Sequence, residues 1–145
     1  MSTVLRPATT EDIAFARELY FGTMRYITDR LSDWNEAEQV ARFAERFLLE
    51  EVRIIVRDDK DVGWLQVGET DEEIFLKQIY IDPGSQNQGI GSRLVANLLE
   101  RARRANKPVR LGVVKINPAL ALYQRLGFAI TSEDEFKFYM EKRPS

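Results

Sequence analysis

The apolar residues of this chain recur at two spacings, and each switch between them marks an element. TVLRPAT opens as a short strand that Pro7 ends. Thr9 or Thr10 then caps a helix whose first turn carries Glu11 and Asp12, where the helix dipole favours negative charge. Ile13, Ala16, Leu19 and Tyr20 fall on one face of it. The stretch FGTMRYITDRLSD (21–33) keeps no period and reads as turn and loop. Asp33 followed by Glu36 has the form of a capping box. It predicts a helix from about Trp34 to Leu49, with Val40, Phe43, Ala44 and Phe47 on its buried face.

Beyond that helix the spacing shortens. VRIIVR, DDKD and VGWLQVGE read as strand, turn and strand, a hairpin over 52–69. A turn at Asp71 and Glu72 leads into the strand EIFLKQIYI, which stops before Pro83. The 3.6 spacing returns with Ile90, Leu94, Leu98 and Ala102, flanked by Val95 and Leu99, and Glu100 and Arg104 stand at i,i+4 in the favourable order. After Pro108, VRLGVV alternates too little to be an exposed edge strand. NPALALYQRLGF is a short helix with proline near its start and Gly127 at its end. FAITS, a turn at SEDE, and FKFYMEK form a terminal hairpin. The order β α α β β β α β α β β joins an antiparallel meander to a β–α–β crossover. It predicts one α+β domain over residues 1–145 with a mixed, mostly antiparallel sheet.

Composition narrows the chemistry. The 145 residues contain no cysteine and no histidine. A thiol nucleophile, a thiolate metal site and a histidine base are thereby excluded, and no metal site is expected. With 21 basic and 23 acidic residues dispersed along the chain, no basic face points to nucleic acid. Arg101, Arg103 and Arg104 read as the solvated last turns of a helix. No apolar run approaches the ~20 residues of a membrane span, and the amino terminus lacks a signal-peptide core. The expectation is a cytoplasmic protein that binds neither nucleic acid nor membrane.

The segment DPGSQNQGIGSRL (82–94) carries the strongest functional signal. It links a strand to a helix, and its glycines allow successive backbone N–H groups to converge at the helix amino terminus, as an anion site requires. Gln88, Gly89, Ile90, Gly91, Ser92 and Arg93 are the expected donors, with the Ser92 hydroxyl and the Arg93 charge in support. A diphosphate would use more of these donors than a single phosphate. The Gly-Lys-Ser/Thr of a nucleotide-hydrolase loop is absent. The third glycine of a dinucleotide fingerprint is absent too, and the loop follows a meander. Otherwise the glycines serve only a tight turn.

QNQGIG (86–91) matches the pattern Q/R-x-x-G-x-G/A. Together with IYIDP before it and NPALALYQRLGF after it, the chain resembles the GNAT superfamily of N-acetyltransferases along nearly its whole length. The resemblance implies a sheet splayed at the cofactor site with helices on both faces. It implies acetyl-CoA as acetyl donor, its pyrophosphate on the loop from Gln86 to Arg93. Its pantetheine arm would lie along the backbone of Ile79 and Ile81, in the manner of an added strand. Asn117 would bond the same arm, although the residues alone favour a helix cap there. Tyr123 would bind the cofactor and act as general acid toward the departing thiolate, against a core role shared with Leu120 and Leu126.

The family's usual glutamate on the preceding strand falls nearest Phe75 here. Glu73 is the candidate base, with Glu72 beside it or a water chain as alternatives. Direct attack by an amine is the implied route. The acceptor, a small-molecule or peptide amine, would meet residues from Tyr20 to Trp34 and from Ser132 to Phe136. The aromatics there are Tyr20, Phe21, Tyr26 and Trp34, and the carboxylates Asp29, Asp33, Glu133, Asp134 and Glu135. The resemblance allows a homodimer. A coenzyme A binding module without turnover is the alternative, and a nucleotide-binding or purely structural domain is the third reading.

Overall fold

A computed structural model describes residues 3–28 and 36–144, and only the backbone at 26–28 and 36. Along the described chain lie β1 (Thr3–Pro7), α1 (Ile13–Thr28), α2 (Glu36–Arg46), β2 (Val52–Arg57), β3 (Lys60–Glu69) and β4 (Ile74–Ile81). They are followed by α3 (Ile90–Ala105), β5 (Val109–Val114), α4 (Ala119–Arg125), β6 (Ala129–Glu133) and β7 (Lys137–Lys142). The seven strands form one sheet in the order β1-β2-β3-β4-β5-β7-β6. The β1–β2, β2–β3, β5–β7 and β6–β7 pairs are antiparallel, and β5 pairs parallel with β4 after the α3 crossover. The sheet is thus mixed, as the element order predicts. None of the described helices is long and apolar enough to cross a membrane.

The chain packs as two compact units. The first comprises Met1–Gln66 with Gln78–Gln86. Its core is aromatic: Ala16, Tyr20, Phe43, Val52, Ile54 and Trp64 are buried together, with Phe21, Met24, Phe47 and Tyr80 packed against them. Trp64 donates its indole N–H to the Ala16 carbonyl at 3.0 Å, so the ring is buried with its one polar atom satisfied. Two expectations need correction here. The stretch after Tyr20 is not loop, because α1 continues to Thr28. Gly22 costs the helix about 1 kcal/mol relative to alanine, but Phe21 and Met24 pack on the core and keep the helix going. In α2, Phe43 is buried as expected while Val40 is 41% exposed. Gln39 takes the inner position, because its side-chain oxygen accepts the buried Tyr20 hydroxyl at 2.9 Å. Asp33 and Trp34 lie outside the described residues.

At the start of α1, Arg6 grips both carboxylate oxygens of Asp12 at 2.8 and 2.9 Å and reaches Asp61 at 3.0 Å. The Thr9 N–H adds a third bond to Asp12, at 2.8 Å, in a capping box. The Arg6 guanidinium, opposed by burial and helped by Thr9, lowers the Asp12 pKa to about 2. A depressed carboxylate pKa gives stability that is present above the unfolded value and lost as pH falls through the folded one. Chemical denaturation should therefore lose about 1–2 kcal/mol between about pH 4 and pH 2 from this residue. Asp12→Asn should be less stable at neutral pH and lack that part of the acid dependence.

The second unit comprises Val67–Lys77 with Asn87–Ser145. Ile90, Leu94, Val95, Leu98 and Ala102 form the buried face of α3, and the helix ends on Asn106 in the left-handed region at φ 57°. Glu100 pairs with Arg103 at 2.7 Å as well as with Arg104 at 3.3 Å. In β5 burial alternates, with Val109, Leu111 and Val113 inside. The strand avoids the edge because β4 and β7 flank it, not because it lacks alternation.

Candidate functional site

The candidate site residues divide between the units. In the first, β4 carries Ile79, Tyr80 and Ile81, all half-buried. The parallel ladder to β5 consists of Ile74↔Val109 and Phe75↔Arg110. Past Phe75, β4 is held from the β3 side, and very closely. The β2–β3 register passes from Ile55↔Gly63 to Val56↔Asp61, which leaves Val62 as the extra residue of a bulge. The Val62 carbonyl accepts the Asp82 N–H at 2.7 Å. A Cβ on Gly63 would collide with the Tyr80 carbonyl oxygen. Beyond the strand, the Gln86 amide folds back and donates to the Ile81 carbonyl at 2.8 Å.

In the second unit, the loop enters α3 through two left-handed residues, Asn87 at φ 63° and Gly89 at φ 79°. Gly89 is the helix N-cap, without a side-chain cap, and no heavy atom lies within 4 Å of the Cβ position it leaves vacant. The helical ladder begins with the Arg93 N–H on the Gly89 carbonyl at 3.1 Å. Ile90, Gly91 and Ser92 therefore present N–H groups ahead of the ladder, and the first turn has no acidic residue. Arg93 differs from expectation: its backbone N–H closes the turn, which leaves its guanidinium as what it can offer an anion. The remaining geometry fits a phosphate or diphosphate at a helix amino terminus.

Asn117 does cap a helix, its side-chain oxygen accepting the Ala119 N–H at 2.9 Å. Tyr123 is 6% exposed, its ring edge-on to Phe128 at 5.8 Å. Its hydroxyl bonds to no described residue, yet among the described residues no buried side-chain oxygen lacks a partner. The exposed remnant of Tyr123 thus includes the hydroxyl. Burial pushes its pKa up to about 12, so the group stays protonated at neutral pH.

Glu73 lies just before β4, its carboxylate 3.1 Å from Arg110, which also holds Glu141 at 2.9 Å. Phe75 is half-buried on β4. Of the described carboxylates assigned to an acceptor, Glu133 and Asp134 are engaged. Glu133 pairs with Lys115 at 2.6 Å. Asp134 builds its own turn by accepting the Phe136 and Lys137 N–H groups and the Tyr139 hydroxyl, which lowers its pKa. Tyr20 is core rather than acceptor surface. Asp29, Asp33, Trp34 and the Tyr26 side chain lie outside the described residues.

Residues 13–128 match the family model described as the acetyltransferase (GNAT) family. The chain belongs to that family. Mycothiol acetyltransferase of Brachybacterium faecium is 35% identical over 95 residues, covering 61% of this chain and 29% of that protein. The L-methionine sulfoximine/L-methionine sulfone acetyltransferase of Salmonella typhimurium is 28% identical over 108 residues, 73% of this chain and 62% of its own. The chain thus spans less than two thirds of either relative. Among solved structures, the PaiA N-acetyltransferase of Thermoplasma acidophilum in complex with coenzyme A superposes with a TM-score of 0.80 over 99% of both chains, at 19% identity. That likeness establishes the acetyltransferase fold for this chain.

Three residues that hold β3 against β4 escaped the sequence reading: Gly63, Gln66 and Gln78. For the glutamines a signal existed, since period-2 alternation puts Gln66 on the same face as Trp64. Gly63 is the more testable. Gly63→Ala should cost about 2 kcal/mol through overpacking against the strand beside it. Urea denaturation measures this, and an unchanged midpoint would mean that β3 and β4 separate freely.

Proposed function

We propose that the protein transfers the acetyl group of acetyl-CoA to an amine by direct attack. The observation that carries this reading is the amino terminus of α3. In an acetyltransferase-family chain it stands without a side-chain cap or an acidic first turn, entered through a left-handed glycine. The N–H groups of Gly89, Ile90, Gly91 and Ser92, with Gln86, Gln88 and the Arg93 guanidinium in support, would hold the diphosphate. The backbone of Ile79 and Ile81 would bond the pantetheine arm along the part of β4 beyond its two-residue ladder with β5. The Asn117 side-chain nitrogen, its oxygen being engaged in the helix cap, would add a donor.

Acetyl-CoA supplies an activated acetyl thioester. The amine lone pair forms the C–N bond, the C–S bond breaks, and the electron pair leaves on sulfur. Tyr123 donates its hydroxyl hydrogen bond to that sulfur as charge develops. A phenol near 12 holds its proton more tightly than an ordinary thiol near 8.5, so Tyr123 steadies the thiolate while the proton lost by the amine balances the reaction. Glu73, bonded to Arg110, is the carboxylate offered as base, and water carrying the proton to solvent is the simpler route. The engagement of Glu73 favours one other reading, a coenzyme A binding module without turnover.

Release of free thiol from acetyl-CoA, followed against a panel of amino acids, polyamines and peptide amines, separates the two. Turnover with at least one amine is expected. Coenzyme A binding without thiol release across the panel would favour the module. Tyr123→Phe should lower kcat roughly 100-fold with little change in acetyl-CoA affinity. Equal losses in both would remove Tyr123 from the chemistry.

A further inference from the structure

Gln66 has no exposed surface, although it sits on β3 in an aromatic and aliphatic interior. Its side-chain nitrogen donates to the Arg46 carbonyl at 2.8 Å, at the carboxyl end of α2, and to the Glu51 carboxylate at 2.9 Å. Both partners can only accept, so the Gln66 oxygen must point the other way. There it accepts the Gln78 side-chain N–H at 3.0 Å, and the Gln78 oxygen in turn accepts the Tyr80 hydroxyl at 3.2 Å. Every amide in this chain has one orientation, because reversing either would set oxygen against oxygen. Two amides in series do not conduct protons, so the chain is no relay from Glu51. What it does is fix Gln78 and Tyr80, which flank Ile79, to β3 and to the end of α2.

We propose that Gln66 and Gln78 are positioning residues for the cofactor arm, setting the path of the β4 backbone from Gln78 to Ile81. The inference rests on the reading of β4 as the strand that bonds pantetheine. Beyond Phe75 the ladder to β5 has ended, so side-chain bonds to β3 and to the end of α2 add to the one ladder that holds the β4 backbone there. The cross-strand amide pair supplies the first of these. Buried polar groups of this kind contribute little net stability over apolar replacements of similar shape, and their use lies in specifying one arrangement.

Calorimetric titration with coenzyme A tests this on the full chain. Replacing both amides (Gln66→Leu with Gln78→Leu) removes the pair together but takes a donor from the Arg46 carbonyl and from Glu51 and an acceptor from the Tyr80 hydroxyl, so it should lower the melting temperature as well as weaken coenzyme A binding about tenfold. The control is Tyr20→Phe with Gln39→Leu, which removes a buried hydrogen bond of the same core while keeping the Tyr20 ring against Tyr80 of β4, and coenzyme A affinity should hold there. Gln78→Met, which keeps the side-chain length, carries the same test if the double variant does not fold. Wild-type affinity in the Gln66/Gln78 variant, or equal weakening in both pairs, would overturn the positioning role. A wild-type protein that does not bind coenzyme A would overturn the reading of the site itself, and the inference with it.

Discussion

A strand in the interior of a sheet is ordinarily held by two ladders, and β4 has its second for only two residues. Much of the first unit answers that constraint. The bulge at Val62 turns β3 toward the end of β4, Gly63 permits the backbones to approach closer than any side chain would allow, and the Val62 carbonyl takes the Asp82 N–H. Gln66 and Gln78 tie the same stretch through their side chains, and Gln86 secures the Ile81 carbonyl from the loop. The result is an ordered backbone whose side away from β3 is free of a strand ladder past Phe75, with the Ile81 carbonyl taken by Gln86.

The loop meets a similar requirement with opposite means. Holding an anion on backbone N–H groups requires leaving them without internal partners, which most helix starts avoid by capping. Here the N-cap is Gly89, whose left-handed conformation turns the chain into α3 without a side-chain acceptor. The contrast with α4 is instructive, because there Asn117 supplies the cap. One helix start is closed by a side chain and the other keeps its first N–H groups ahead of the ladder.

Much of this was legible in the amino-acid order. Hydrophobic spacing located α3, because it buries one face with a single period, whereas the β2–β3 and terminal hairpins were legible from their turns and strand-forming residues, since β3 is buried over five successive residues and β6 is exposed throughout. The left-handed turn into α3 was legible because its glycines mark it, Gly89 taking a positive φ at the helix N-cap. What escaped was long-range. Gln39 faces inward only because Tyr20, nineteen residues earlier, needs an acceptor, so periodicity placed Val40 there instead. Helix α1 outlasts its own pattern because Phe21 and Met24 find the core. Arg93 was offered as a backbone donor because nothing local says where the helical ladder begins. The pairing of Glu73 with Arg110 was not legible because Arg110 stands on another strand.

Binding of coenzyme A by this chain is the central claim. The most direct measurement is the melting temperature with saturating acetyl-CoA, beside ATP and NAD at the same concentrations. At 100 times Kd a specific ligand adds about 2.7 kcal/mol, a rise of roughly 5–10 °C for a chain of this length. The account predicts that rise with acetyl-CoA and none of that size with ATP or NAD. An equal rise with all three would reduce the site to a generic phosphate cradle. No rise with any of them would contradict the cofactor reading outright.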